Sequence, residues 1–178
     1  MHAQRDRTNP FYLQVGFFEP HRRFSDNGIQ PDDSLGVTVP PWLVDDDGAR
    51  EEFAGYQGAI HSLDNAVGEI LAALEENGLR ENTVVVFTAD HGMPFPRAKC
   101  SVYDPGLQTP CIMRWPAGGL TGGTVHDAII SNIDYLPTWL DLLSLPTPAA
   151  VQGVEVQQSW DKSGGELRYR SGAPALDS

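Results

Sequence analysis

The sequence is poor in cysteine, and it has no long apolar run. Its two cysteines, Cys100 and Cys111, form neither a Cys-x-x-Cys pair nor a disulfide framework, so we expect two free or buried thiols. No apolar stretch reaches the length of a membrane span. The first six residues lack the apolar core of a signal peptide. These absences argue against a membrane-spanning or disulfide-stapled protein and leave the compartment open.

Basic residues are also scarce. The chain has 12 lysines and arginines against 24 acidic residues, a net charge of −12. Nucleic-acid binding needs clustered Lys and Arg side chains, so this balance argues against a nucleic-acid partner. An anionic substrate would be repelled at long range, and a site for one would need local positive charge from a metal or a few basic side chains.

The apolar pattern of the first half predicts a strand, a loop, a helix and a second strand. Residues 11–17 read as a short buried strand, and 25–47 as a long surface loop. From about Arg50, apolar residues recur at steps of three and four up to the stop signal Asn77-Gly78, which predicts an amphipathic helix. The β-branched run 83–88 predicts a strand of a parallel sheet. The order indicates an α/β domain built on a right-handed βαβ unit.

The second half is less regular. Residues 111–115 and 125–130 are candidate strands, and 133–143 reads as a helix with Pro137 in its first turn. The polar, aperiodic tail 157–178 is expected to be disordered.

Two predicted strand ends carry unusual side chains. The first is followed by Glu19-Pro20-His21-Arg22-Arg23, and the second by Asp90-His91-Gly92 and then Arg97 and Lys99. Ligands of open parallel sheets bind outside the carboxyl ends of the strands. Four of the 12 basic residues therefore lie near these two ends, where they can hold an anion.

Each of these residues has a structural and a chemical interpretation. The Asp90 carboxylate suits a hard divalent cation and the His91 imidazole suits zinc, but at least two more ligands are needed. Alternatively, Asp90 caps a turn and His91 is an ordinary loop residue. His21 fits a general acid or base, or a plain surface histidine. Lys99 fits an anion contact or a solvated charge.

Four segments, in this order, resemble the sulfatase family of the alkaline phosphatase superfamily. They are FYLQVGFFEPHRRF, ENTVVVFTADHGMPFPRAKCSVYDPGLQTPCIMRWPAGG, SNIDYLPTWLDLL and VQGVEV. The Gly-Met-Pro-Phe-Pro stretch is most similar to the branch that contains heparan N-sulfatase. The resemblance implies an alkaline-phosphatase-like α/β fold, a mostly parallel sheet flanked by helices, incomplete here. It also implies that residues 1–156 form the C-terminal part of a sulfatase catalytic domain.

The same resemblance implies roles for the site residues. Asp90 and His91 would be the later pair of ligands to a Ca²⁺ ion, Lys99 would contact the sulfate, and His21 would protonate the leaving oxygen or nitrogen. The implied activity is hydrolysis of a small-molecule or sugar sulfuric ester, or of a sulfamate. Two alternatives remain: a phosphodiesterase or phosphonate monoester hydrolase of the same superfamily, and a non-catalytic binding protein that retains the fold.

The sequence departs from the family at the nucleophile. Sulfatases use a formylglycine made from Cys or Ser in a Cys/Ser-x-Pro/Ala-x-Arg motif, but Ser-Val-Tyr-Asp follows Cys100 and Ile-Met-Arg-Trp follows Cys111. The early Asp-Asp metal ligands are missing too.

We therefore expect the purified chain of 178 residues to hydrolyse no sulfate ester, because it lacks the group that attacks sulfur. Release of nitrophenol from 4-nitrophenyl sulfate measures this directly. Turnover above the buffer rate would contradict the expectation.

Overall fold

The computed structural model describes residues 6–125, 129–153 and 155, with short pieces at 158–159 and 166–167. The chain divides into two compact units, Met1–Leu120 and Thr121–Ser178. The first unit contains helix α1 (Asp47–Glu76), strand β1 (Val85–Thr88), the short helix α2 (Asp104–Leu107) and strand β2 (Cys111–Arg114); the second contains helix α3 (Tyr135–Leu142) and strands β3 (Gln158–Ser159) and β4 (Glu166–Leu167). Across these described residues, no helix combines the length and apolarity of a membrane span.

Helix α1 confirms the predicted amphipathic helix and begins slightly earlier than its apolar pattern. The Asp46 carboxylate caps its first turn by accepting a hydrogen bond from the Ala49 amide at 2.8 Å. At the other end Gly78 takes a left-handed φ of 65°, and the Leu79 amide bonds back to the Leu74 carbonyl at 2.9 Å. Only a residue without a Cβ adopts this turn at little cost, so Asn77-Gly78 ends the helix as predicted.

An aromatic cluster forms the core of the first unit. Phe53 and Tyr56 of α1 pack with Phe24 and Phe95, which come from the loops on either side in sequence. The Phe53 and Phe95 rings stack with centroids 4.0 Å apart and planes 5° from parallel. Burial raises the pKa of the Tyr56 hydroxyl. The core therefore fastens both loops to the N-terminal half of α1.

The predicted long loop 25–47 is confirmed and lies along α1. The Asp32 amide donates to the Ala54 carbonyl at 2.9 Å, and the Gln57 side chain donates to the Asp32 carbonyl at 2.9 Å. Gly58 allows this approach, because a Cβ there would overlap the Gln30 carbonyl. The loop is therefore held by backbone contacts to a small-residue face of the helix.

The Asp32 side chain joins loop to helix in a second way. Hydrogen bonds from the Ser34 hydroxyl and amide, and then from His61, lower the pKa of the Asp32 carboxyl. The His61 Nδ1 lies 3.2 Å from Asp32 Oδ2. Because the folded-state pKa is depressed, this contribution to stability is present above the unfolded pKa and is lost as pH falls through the folded one.

Strands β1 and β2 pair antiparallel, with Val85 opposite Arg114 and Thr88 opposite Cys111. Both occupy predicted strand positions, and the expected incomplete α/β architecture is confirmed. The parallel pairing predicted for 83–88 is not found among the described strands, because the neighbour of β1 runs in the opposite direction. The predicted buried strand 11–17 is not formed: the segment contains no strand, and Tyr12 is 77% exposed. An extended segment becomes a strand only through a hydrogen-bonded neighbour, and no described strand lies beside it. The expected βαβ crossover is therefore absent from the described residues.

Helix α3 of the second unit follows a capped 3-10 turn. The Asp134 carboxylate accepts from the Ser131 amide at 2.9 Å, and a 3-10 turn, Asn132–Asp134, leads into α3. Pro137 is buried in the first turn of α3, as predicted. Of the predicted strand 125–130, residues 126–128 lie outside the described part, and the rest form no strand.

The predicted disordered tail, 157–178, also lies outside the described residues apart from β3 and β4. These two short strands pair antiparallel, with Gln158 opposite Leu167. Disorder of the remainder stays a prediction.

Candidate functional site

Two of the predicted site residues, separated by 78 positions in sequence, meet in the fold. The Nζ atom of Lys99 lies 3.4 Å from Nε2 of His21. His21 follows the first predicted strand end, and Lys99 belongs to the loop after β1. The structure therefore brings together a histidine and a lysine that sequence patterns indicated only separately.

The ring of His21 is oriented by the backbone. Its Nδ1 lies 2.6 Å from the Arg22 carbonyl oxygen, and a carbonyl oxygen only accepts, so Nδ1 carries the proton. In the neutral ring Nε2 is then an acceptor, matched to the ammonium of Lys99. The Phe18 ring packs at 5.0 Å from the imidazole. The Nε2 atom is therefore the position at which His21 can gain or release a proton.

Backbone hydrogen bonds fold the Lys99 loop tightly. The amides of Phe95 and Lys99 both donate to the Met93 carbonyl, at 2.9 and 3.1 Å, and Ala98 is fully buried. Arg97 and Cys100 take left-handed φ values of 62° and 64° on either side. This turn fixes where the Lys99 side chain leaves the loop.

Two glycines allow this loop to close. The Gly92 amide donates to the Gly106 carbonyl at 3.0 Å. A Cβ at Gly92 would overlap the Pro105 carbonyl, and one at Gly106 would overlap the Ala98 carbonyl. The glycines of Asp-His-Gly and Tyr-Asp-Pro-Gly therefore serve close backbone approach, a role that sequence patterns did not reveal.

Asp90 and His91 lie just beyond the end of β1. The His91 Nδ1 donates to the Gly92 carbonyl at 2.7 Å, and its Nε2 lies 3.6 Å from Asp90 Oδ1. A carboxylate oxygen and an imidazole nitrogen this close fit one divalent cation as two of its ligands. Within the described ranges, no group of three or more His, Cys, Asp or Glu side chains is placed to hold a metal. This part of the chain therefore supplies at most a partial coordination shell.

Both cysteines are free and exposed. This confirms the expectation of two unpaired thiols and gives neither of them a role in the site.

Comparison with known proteins identifies the family of the chain. The family model described as Sulfatase matches residues 1–145. The human N-sulphoglucosamine sulphohydrolase is 31% identical over 172 residues, covering 84% of this chain and 34% of the relative. The chain thus spans about a third of the length of that relative.

Two solved structures resemble the fold. A phosphonate monoester hydrolase from Silicibacter pomeroyi is 35% identical, with a TM-score of 0.56 over 65% of this chain and 24% of that one. A structure in complex with its substrate, D-glucosamine-2-N,6-O-disulfate, is 28% identical, with a TM-score of 0.54 over 60% of this chain and 22% of that one. They confirm the expected alkaline-phosphatase-like fold.

Replacing Gly92 by alanine should destabilise the chain by about 1–3 kcal/mol, because the added methyl group overpacks the loop against Pro105. The free energy of unfolding in urea measures the change. Gly68, exposed in α1 with nothing near its Cα hydrogens, provides the matched control. Gly68→Ala should be neutral or stabilise by up to about 1 kcal/mol. Equal stabilities of the two variants would contradict the close-approach role of Gly92.

Proposed function

Because the chain belongs to the sulfatase family, we propose that it supplies the leaving-group and metal-ligand residues of a sulfuric ester or sulfamate hydrolase. The convergence of His21 Nε2 and Lys99 Nζ at 3.4 Å carries the proposal. In this pair, His21 Nε2 can exchange a proton and Lys99 carries a positive charge. Positive charge is scarce in this acidic chain, so the pair is a favourable place for an anion.

His21 acts on the leaving group. When the sulfur–oxygen or sulfur–nitrogen bond breaks, its electron pair stays on the leaving atom, which then needs a proton. With Nδ1 held by the Arg22 carbonyl, that proton comes from Nε2 of the protonated ring. In this state Nε2 donates to the leaving atom and no longer accepts a hydrogen bond from Lys99. General acid catalysis of this kind typically contributes about 10²–10⁴-fold to the rate.

Lys99 acts on the sulfuryl group. Its ammonium offsets the negative charge of the sulfuryl oxygens, and the tight loop around Ala98 limits the reorganisation needed during reaction. Neither Cys100 nor Cys111 stands in a formylglycine motif, so we assign this chain no nucleophile. The residues described here provide proton and charge, and the attacking group comes from elsewhere in a complete site.

Sulfatases depend on a metal, and we propose calcium as the ion here. Asp90 and His91 would hold it through a carboxylate oxygen and Nε2, together with ligands from outside the described residues. When bound, the ion would polarise the sulfuryl oxygens. The exposed Asp90 carboxylate, at 88%, leaves room for those further ligands.

For the substrate, we propose a sulfated sugar. The human relative is named for N-sulphoglucosamine, and one structural neighbour was solved with a glucosamine disulfate as its substrate. A phosphonate monoester is the second candidate, because the other structural neighbour is a phosphonate monoester hydrolase. Both substrates present an anionic tetrahedral group to Lys99.

Binding to the isolated chain tests the proposal. D-Glucosamine-2-N,6-O-disulfate should shift the NMR signals of His21 and Lys99 in the full 178-residue chain. Lys99→Gln should weaken binding by roughly 10- to 100-fold, because it removes a charge-assisted hydrogen bond. Arg97→Gln, which removes an exposed charge two residues away, should leave affinity nearly unchanged.

If Lys99→Gln and Arg97→Gln weaken disulfate binding equally, the loss of affinity comes from the change in net charge. That result would contradict the assigned role of Lys99. Phenyl phenylphosphonate in the same titration separates the two substrates. Tighter binding of the phosphonate than of the disulfate would favour the second candidate.

The metal assignment has its own measurement. Added Ca²⁺ should shift the signals of Asp90 and His91, with millimolar affinity because the shell is partial. Asp90→Ala, which removes the ligating oxygens, should abolish these shifts, whereas Asp104→Ala in α2 should not. Shifts that survive Asp90→Ala would contradict the assignment.

A further inference from the structure

Arg22 makes three kinds of contact at once. Its Nε donates to the Pro94 carbonyl at 2.9 Å, and its terminal nitrogen forms an ion pair of 2.5 Å with Glu52 of α1. The guanidinium carbon Cζ also lies over the rings of Phe24 and Phe95, at 5.1 and 4.9 Å from their centroids. One side chain thus contacts the His21 segment, the Lys99 loop and the helix.

These contacts bridge the two segments that carry the His21–Lys99 pair. Arg22 follows His21 directly, and its carbonyl accepts the Nδ1 proton of the imidazole. Pro94 follows Met93, whose carbonyl accepts the Lys99 amide. A hydrogen bond between residues 72 positions apart therefore joins the peptide that orients the histidine to the turn that presents the lysine.

We propose that Arg22 is a positioning residue that holds Nε2 of His21 against Nζ of Lys99. The inference deepens the proposed function, because it assigns a third residue to the geometry of that site. It gives Arg22 no contact with substrate.

The chemistry of the contacts requires arginine. A guanidinium presents its donors in a rigid planar fork, so it can bond a carbonyl and a carboxylate in its plane while its faces lie on aromatic rings. A lysine ammonium has no plane to stack and cannot reproduce this set of directions. Arg22→Lys keeps the positive charge but removes the planar fork of hydrogen-bond donors.

The ion pair alone does not explain the arrangement. The side chains of Arg22 and Glu52 are 42% and 50% exposed, and exposed ion pairs contribute little to folding. Arg23, its neighbour, is 86% exposed and has an ion pair of 3.6 Å with Asp26. The two adjacent arginines thus provide a matched comparison of a bridging and a solvated cation.

The test uses the full chain with isotope-labelled histidine and lysine. In the wild type, an NOE should connect the His21 ring protons to the Lys99 side chain, and the imidazole nitrogen shifts should report the Nδ1–H tautomer. Arg22→Gln and Arg22→Lys should each abolish the NOE. Arg23→Gln should preserve it. His91, whose Nδ1 bonds the Gly92 carbonyl, is an internal control and should keep its own tautomer in every variant.

A retained NOE in a folded Arg22→Lys or Arg22→Gln variant would overturn the proposal. If both substitutions at Arg22 unfold the chain, Glu52→Ala decides, because it removes the side-chain oxygens that hold the guanidinium to the helix and should weaken the NOE. An unchanged NOE in that variant would equally overturn the positioning role.

The same samples separate this inference from the proposed function. If the wild type binds no D-glucosamine-2-N,6-O-disulfate while the NOE still depends on Arg22, the proposed function fails and the positioning role stands. If the disulfate binds equally to wild type and Arg22→Lys while the NOE persists in both, the positioning role fails and the proposed function stands.

Discussion

The stacking of Phe95 on Phe53 is the contact on which the candidate site depends. It fixes the middle of the loop that carries Lys99 to helix α1, and Phe24 fastens the His21 segment to the same rings. Burial of a phenylalanine side chain is worth about 1.5–3 kcal/mol, and an aromatic pair adds roughly 0.5–1.5 kcal/mol. The exposed Arg22–Glu52 pair adds at most about 1 kcal/mol. Aromatic packing therefore holds the segments together, and polar contacts set their orientation.

Hydrogen bonds to backbone carbonyls set the tautomers of His21 and His91. His21 and His91 each donate Nδ1–H to the carbonyl of the next residue, which leaves Nε2 available in both. At His21 that nitrogen faces an ammonium, and at His91 it faces the Asp90 carboxylate. The same backbone contact thus leaves Nε2 beside a cationic side chain at His21 and beside an anionic side chain at His91, and this difference underlies the separate roles we propose for the two histidines.

The antiparallel pairing of β1 and β2, and the exposed segment 11–17, show where local pattern and tertiary environment diverge. A mostly apolar segment of seven residues favours an extended backbone, and 11–17 contains no helix. Whether such a segment joins a sheet depends on a neighbouring strand, and its direction depends on that neighbour too. Neither property is encoded within the segment itself.

The sequence by itself determined helix α1, its glycine stop and the strand positions 85–88 and 111–114, since these depend on local periodicity. It also determined the family and the identity of the candidate residues, since these depend on residue order. Only the tertiary structure decided that His21 meets Lys99, that Arg22 bridges their segments, and that Gly92 and Gly106 admit close backbones. Such contacts join residues far apart in the chain, and they are set by packing around Phe95 rather than by any spacing within the sequence.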